Sequence, residues 1–392
     1  MSRIKIMFQF FLIINMILIA LHRTNAQDLT ESNIRLRILE TTDLHAHILG
    51  YDYKKNKPRL KFGLSRVASL IKNARLEEPN SLLFDVGDVL VGSELDEYVY
   101  KSHYLKLHEK LVPLGTLEPL THPVIKAMNA LHYDAATVGN HEFNHGLEFL
   151  YESIRGAQFP YVNANIYIDD QNNIDNDDLN YFNPFTILER EFTDSKGNKQ
   201  QIKVGVIGFL TPIAAEWDKR YFKGRLKIKN IKDTAEHFIP IMKDNGADII
   251  IALAHVGLQA DKGLKDRKRN SVYALSEVKG IDAVLYGHSH SLFPMKGTKE
   301  GNGSAPSTIR GVPAVQAGYW GNHLGIIELQ LSKVNGNWVV KSSQSVVKPI
   351  YRTIKNKIIP VVKEDLEILK VMELDHKEVI KYFHRQKKSK SQ

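Results

Sequence analysis

The chain has no cysteine, so no disulfide holds the fold, and apolar burial, together with any bound cations, must hold it instead. Long hydrophobic runs are also missing, with one exception. Met7 to Leu21 is an almost unbroken apolar stretch, preceded by Arg3 and Lys5 and followed by the small-residue sequence Thr24-Asn25-Ala26. At about fifteen residues it falls short of the ~20 that a spanning helix needs. Residues 1–26 are therefore expected to be a cleaved signal peptide, leaving a periplasmic or secreted protein with no membrane segment. Nor is there a basic stripe within a folded element. Without Arg3, Lys5 and Arg23 the formal charge falls by three, from +9 to +6, and the one dense basic cluster, Arg385 to Lys390, lies on the terminal tail. That pattern argues against a nucleic-acid polymer as partner.

What the chain does have is a succession of apolar strands that end in polar side chains. Leu36 and Ile38 belong to an alternating strand that runs out at Thr41-Thr42, just before Asp43 and His45. Two apart in extended backbone, these residues project to one side, where a carboxylate and an imidazole can meet a single cation. A helix pattern over 63–75 follows. Leu82 to Val86 then reads as a buried strand ending at Gly87-Asp88. Residues 92–123, with several prolines, read as a long irregular excursion. After a helix pattern over 124–131, the strand Ala135 to Val138 ends at Gly139-Asn140-His141-Glu142, where Asn140 offers an amide oxygen and His141 can ligate or act as a general acid. Phe159 to Ile166 and Ile202 to Phe209 read as further strands, separated by an acidic loop over 169–180 that lacks the ordered ligand spacing of a calcium loop. Ile249 to Ala254 ends in His255, and Asp282 to Tyr286 ends in Gly287-His288-Ser289-His290. Five strand ends in succession, each delivering a metal-capable side chain, are hard to explain as packing and point to a metal centre.

The ordered blocks Asp43-Leu-His45, Gly87-Asp88, Gly139-Asn-His-Glu142, Ala254-His255 and Gly287-His-Ser-His290 resemble the signature of the calcineurin-like metallophosphoesterases. The wider context, Leu39 to His45, Tyr51-Asp-Tyr53, Gly311 to Val315 and Trp320 to Gly325, is similar to their periplasmic 2',3'-cyclic-nucleotide 2'-phosphodiesterase/3'-nucleotidase group. The resemblance implies an α/β fold, a four-layer α/β/β/α sandwich. It also implies two divalent metal ions, with Asp43, His45 and His290 on the first, Asn140, His255 and His288 on the second, and Asp88 bridging. Such donors suit Mn, Zn, Co or Fe alike. A hydroxide between the metals would attack phosphorus, and His141 would protonate the leaving alkoxide. Asn144, three residues after His141, stands where the 5'-nucleotidases usually have Asp, which favours a cyclic phosphodiesterase with 3'-nucleotidase activity. Val86 and Arg269 depart from that group's usual residues without touching a ligand position. A 5'-nucleotidase-like enzyme, a phosphoesterase of non-nucleotide substrates and a non-catalytic remnant are the alternatives. The expected partner is thus a small nucleotide or phosphoester substrate.

Gly318 to His323 reads either as a site segment, with His323 touching the bound phosphate, or as a tight connection between strands around a packed tryptophan. Ile326 to Leu331 and Trp338 to Lys341 form a hairpin about Asn335-Gly336. Between Val361 and Phe383 neither Gly nor Pro occurs, and apolar residues recur at helical spacing, which predicts one long C-terminal helix. Its apolar face would pack on the domain or receive a partner. The expected organisation is a signal peptide over 1–26, a catalytic domain over 27–350, and a linker-like helix with a basic tail over 351–392. The base-binding second domain of the resembled enzymes is not expected within it.

Overall fold

A computed structural model describes residues 32–104, 121–172, 174, 177–295 and 307–390; the signal peptide expected over 1–26 lies outside them. Eleven strands carry the framework: β1 (Asn33–Thr41), β2 (Ser81–Asp85), β3 (Ala135–Ala136), β4 (Phe185–Thr193), β5 (Lys199–Leu210), β6 (Ile249–His255), β7 (Ala283–Tyr286), β8 (Leu292–Phe293), β9 (Val312–Ala317), β10 (His323–Val334) and β11 (Asn337–Pro349). One sheet has the order β11-β10-β1-β2-β3 and the other β8-β9-β7-β6-β5-β4, with Thr308–Ile309 beside β9. β1, β2 and β3 run parallel, as do β5, β6, β7 and β9. Their carboxyl ends therefore deliver the following loops to a common edge, where α/β sheets collect ligands.

All seven residues of β6 are buried, which shows why the layers stack as they do. On one face Ile249, Ile251 and Leu253 share a cluster with Ile34, Leu36 and Ile38 of β1 and with Leu82 and Phe84 of β2. On the other, Ile250, Ala252 and Ala254 pack with Ile231, Ala235 and Ile239 of a helix over Ile231–Asp244. A strand apolar on both faces needs cover on both. Beyond the first sheet, Leu39 and Leu83 meet helices α1 (Leu64–Glu77) and α2 (Pro123–Ala130). The result is the expected helix, sheet, sheet, helix stack.

Three local expectations change. Between 159 and 165 there is no strand but isolated bridges, and the paired residues are Ile166–Ile168. Pro160 brings no ladder donor, while the Asn165 amide donates to Leu210 O and accepts from Leu210 N, taking the place of backbone pairing. Within the irregular excursion, Glu94–Val99 is a helix capped by the Ser93 hydroxyl, which accepts from Leu95 N. Residues 105–120 lie outside those described. The single C-terminal helix is instead two, Leu366–Val371 and Glu373–Lys390, started by the Asp365 carboxylate, which accepts from Glu367 N and Ile368 N. Ile368, Met372, Val379 and Phe383 are buried in the same cluster as α1 and α2, so the domain itself covers this apolar face.

Candidate metal centre

Three of the five strand-end blocks leave their strands through an unusual backbone turn. Asp43, His45, Asp88, His288 and His290 all have positive φ, between 46° and 73°, a region that costs non-glycine residues energy and persists only where surroundings enforce it. The enforcement is visible. Asp43 N donates to Gly87 O at 2.9 Å, His45 N to Asp88 O at 2.8 Å, and Trp320 N to Asp43 O at 2.7 Å. Gly87, with φ of 94°, presses against the Gly139 backbone so closely that a Cβ there would overlap it. The two loops are thus locked face to face.

Side chains from the five blocks converge in the space so formed. His290 Nε2 lies 3.2 Å from Asp43 Oδ1 and 3.1 Å from His45 Nε2. His255 Nε2 lies 3.1 Å from Asp88 Oδ2, and His45 Nε2 lies 3.9 Å from the same oxygen. His288 Nδ1 is 3.0 Å from Asn140 Oδ1. Donor atoms of Asp43, His45 and His290 fall within 4.8 Å of one another, as do those of Asp88, His255 and His288. The structure therefore brings together all seven residues expected from the sequence, in two groups with Asp88 between them.

The orientation of the imidazoles tests whether cations fit. His45 Nδ1 is 2.7 Å from Val91 O, and His255 Nδ1 is 2.7 Å from Val86 O; a carbonyl only accepts, so both Nδ1 atoms carry the hydrogen. Their Nε2 atoms are left as lone pairs aimed inward. His255 Nε2 makes no aligned hydrogen bond although it is fully buried, and a neutral imidazole would set its lone pair against the Asp88 carboxylate. Only a positive charge in that gap makes the arrangement favourable. In the absence of a metal a proton takes that place. Burial pulls the His255 pKa down, but the Asp88 carboxylate more than reverses this and pushes it up to about 10. Burial likewise opposes the Asp88 charge, yet His255, then His45 and His141, hold its pKa below the usual carboxylate range. The donors, two carboxylates, one amide oxygen and four imidazoles, are those that suit divalent transition ions.

Three further carboxylates hold this centre in place, and sequence reasoning assigned none of them a role. Glu142 is fully buried and accepts from the backbone N–H of Asp88, Val89, Leu90 and Gly139 at 2.6–3.0 Å. Asp261 is 3.2 Å from His288 Nε2 and accepts from the Thr211 hydroxyl at 2.7 Å, which orients the His288 ring with Nδ1 toward Asn140. The residues that follow, 262–269, carry five basic side chains and are exposed or half-buried, a solvated loop. Asp218 accepts from Asn144 Nδ2 at 2.8 Å, and Asn144 Oδ1 is 2.6 Å from His141 Nδ1. The amide that stands next to His141 is therefore backed by a carboxylate one side chain further away. The available signal in sequence was only that Glu142 and Asp261 lie close to a ligand block.

A cleft of about 360 Å³ opens over Asp88, Asn140, His141 and Asn144, flanked by Trp217, Asp218, His288 and His290. His323 is not among the lining residues. Its Nδ1 sits 2.8 Å from Asn322 Oδ1 at the start of β10, and burial lowers its pKa to about 4. The preceding turn buttresses the centre instead: Trp320 stacks on His47 at 4.3 Å and Tyr319 on His290 at 4.9 Å between ring centroids. The acidic loop after Asp169 is a surface excursion in which Asp178 pairs with Lys227 and Lys229.

Comparison with known proteins agrees with this geometry. Residues 36–292 match the family model described as calcineurin-like phosphoesterase. The chain is 40% identical over 354 residues to the 2',3'-cyclic-nucleotide 2'-phosphodiesterase/3'-nucleotidase of Salmonella typhimurium, covering 90% of this chain and 51% of that protein. It is 41% identical over 330 residues to the trifunctional nucleotide phosphoesterase protein YfkN of Bacillus subtilis, covering 83% of this chain and 21% of that one. The crystal structure of the calcineurin-like phosphoesterase YfkN from Bacillus subtilis superposes with a TM-score of 0.76 at 37% identity, covering 90% of this chain and 99% of the other. A 5'-nucleotidase precursor from Thermus thermophilus shares the fold at a TM-score of 0.59 and 21% identity, covering 88% of this chain and 59% of that one. The chain spans about half the length of the cyclic-nucleotide phosphodiesterases it matches.

Proposed function

Because the chain belongs to the calcineurin-like phosphoesterase family, a family of dimetal hydrolases, we propose that it cleaves the 2'-phosphodiester bond of 2',3'-cyclic nucleotides and removes phosphate from 3'-nucleotides. The observation that carries the reading is the Asp88 carboxylate set between two groups of inward-facing donors. Asp43, His45 and His290 would hold one divalent cation and Asn140, His255 and His288 the other, with Asp88 shared. Bound there, the cations supply Lewis acidity that polarises a phosphoryl oxygen and acidifies water. The choice of substrate is supported by relatives at 40% identity that are named for this activity and by Asn144 in place of Asp.

His141 is placed for proton transfer. The Asp218 carboxylate accepts from Asn144 Nδ2, which turns Asn144 Oδ1 toward His141 and requires a hydrogen on Nδ1. That leaves Nε2 for the reaction: in the doubly protonated ring it would give its proton to the departing ribose oxygen and keep the Nδ1 hydrogen on Asn144. The His141 backbone N–H donates to Asp88 Oδ1 at 2.8 Å, which ties the proposed acid to the carboxylate that would be shared. Export is proposed from residues 1–26; no helix among the described residues is long and apolar enough to cross a membrane.

The test is a hydrolysis screen of the purified chain with bis-p-nitrophenyl phosphate, 2',3'-cyclic AMP, 3'-AMP and 5'-AMP, each with Mn, Zn, Co and Fe. Preference for the cyclic diester and the 3'-monoester supports the proposal. Faster cleavage of 5'-AMP than of either would replace it with a 5'-nucleotidase.

A further inference from the structure

Three tryptophans occur in the chain, and two are occupied with packing. Trp338 is buried among the inter-sheet residues, and Trp320 stacks on His47 with Phe62 against its edge. Trp217 differs from both. It is 50% exposed, on the mouth of the metal-centre cleft. What sets it apart is place rather than exposure: an indole on the wall of this cleft offers a flat apolar face to whatever enters it.

The ring is presented by a well-held piece of backbone. Trp217 ends the short helix Ala214–Trp217, which follows the carboxyl end of β5. Ala214 beneath it is fully buried, and the next residue, Asp218, is tied by its N–H to Ala214 O and by its carboxylate to Asn144. The indole lies near-parallel to His288, with ring centroids 5.5 Å apart and 28° between planes. Tyr319 occupies the comparable position on His290 but packs on Phe62 and Trp320 as well and does not line the cleft. Among the described residues Trp217 is thus the one non-histidine aromatic side chain that lines the cleft.

We infer that Trp217 is a stacking platform for the nucleobase, a specificity element within the catalytic domain itself. The inference rests on the nucleotide reading above. In a 2',3'-cyclic nucleotide the base projects from the same ribose that carries the phosphate, so a phosphorus placed over Asp88 leaves the base beside the rim of the cleft. Every base has a π-face, so an indole there favours nucleotides over base-free esters with little choice among the four. Asn144 and Asp218 line the same cleft as the ring.

The experiment compares the Mn-loaded full chain with Trp217→Ala and Trp217→Phe on two substrates, 2',3'-cyclic AMP and glycerol 1,2-cyclic phosphate, which has the same strained diester and no base. Stacking predicts that Trp217→Ala raises KM for the nucleotide and lowers the nucleotide-to-glycerol ratio of kcat/KM by roughly ten- to a hundredfold, with Trp217→Phe restoring most of it. An unchanged ratio overturns the inference. So does a loss of bound manganese with both substrates falling together, which would make Trp217 a cover for His288. If the unmodified chain cleaves the glycerol ester and no cyclic nucleotide, the nucleotide reading itself fails and the platform with it.

Discussion

Replacing Glu142 by Gln changes no volume and removes no cation ligand, yet it should damage the centre more than most surface charge changes. The carboxylate takes four backbone N–H groups, Asp88 and Gly139 on Oε2 and Val89 and Leu90 on Oε1. These donors hold it as an acceptor against burial and the Asp88 charge, which both push its pKa up. A glutamine amide can present an oxygen to one pair only. The other two N–H groups then face an NH2, with no water to turn to. Each buried donor left unpaired costs roughly 1–3 kcal/mol, so the loss should total about 2–6 kcal/mol. In a chain of 392 residues, with roughly 2.1 cal/mol/K of unfolding entropy per residue, that lowers the melting temperature by roughly 2–8 °C. Whichever pair is freed, Asp88 with Gly139 or Val89 with Leu90, it lies in or next to a ligand block, so bound metal and turnover should fall together. Thermal unfolding, metal content by mass spectrometry and hydrolysis of bis-p-nitrophenyl phosphate, all at saturating manganese, measure the three effects. A variant that melts within about 1 °C of the parent and keeps full activity refutes the reasoning.

Asp88→Asn should abolish nearly all hydrolysis and reduce the bound metal count, since a neutral amide cannot hold two cations together; full activity at unchanged metal content rules out a shared carboxylate. His141→Ala should leave metal content intact and cut turnover by roughly 10² or more, whereas loss of metal would make it a ligand. Asp218→Ala frees Asn144 to turn over and should lower turnover about tenfold with metal retained. If its steady-state constants match the parent, the carboxylate behind Asn144 has no part in orienting His141.

The seven convergent residues were legible because each follows an apolar strand. β6, for example, announces itself by an unbroken run from Ile249 to Ala254, and His255 is simply the next residue. Parallel strands deliver their carboxyl ends to one edge, so a one-dimensional order became a three-dimensional cluster. Asp218 and Asp261 were not legible, since their roles come from loops that fold back over the edge and nothing in local spacing marks a partner 74 or 27 residues distant. The break between the two C-terminal helices escaped for another reason. Periodicity counts apolar positions, and these continue through Met372, whereas the start is set by the Asp365 side chain. The strand expected over 159–166 failed where asparagine amides replaced the ladder.

Each proposed cation would draw its donors from both sheets. Asp43 and His45 leave β1 while His290 follows β7, and Asn140 leaves β3 while His255 ends β6 and His288 follows β7. In polymer terms a cation there is a cross-link, and the first one joins positions 245 residues apart. A covalent tie across a loop that long stabilises a chain by roughly 5 kcal/mol in the chain-entropy picture. A protein without thiols would thereby possess ties that need no oxidant, that form and release with the surrounding cation concentration, and that fasten the two sheets at the edge where the reaction takes place.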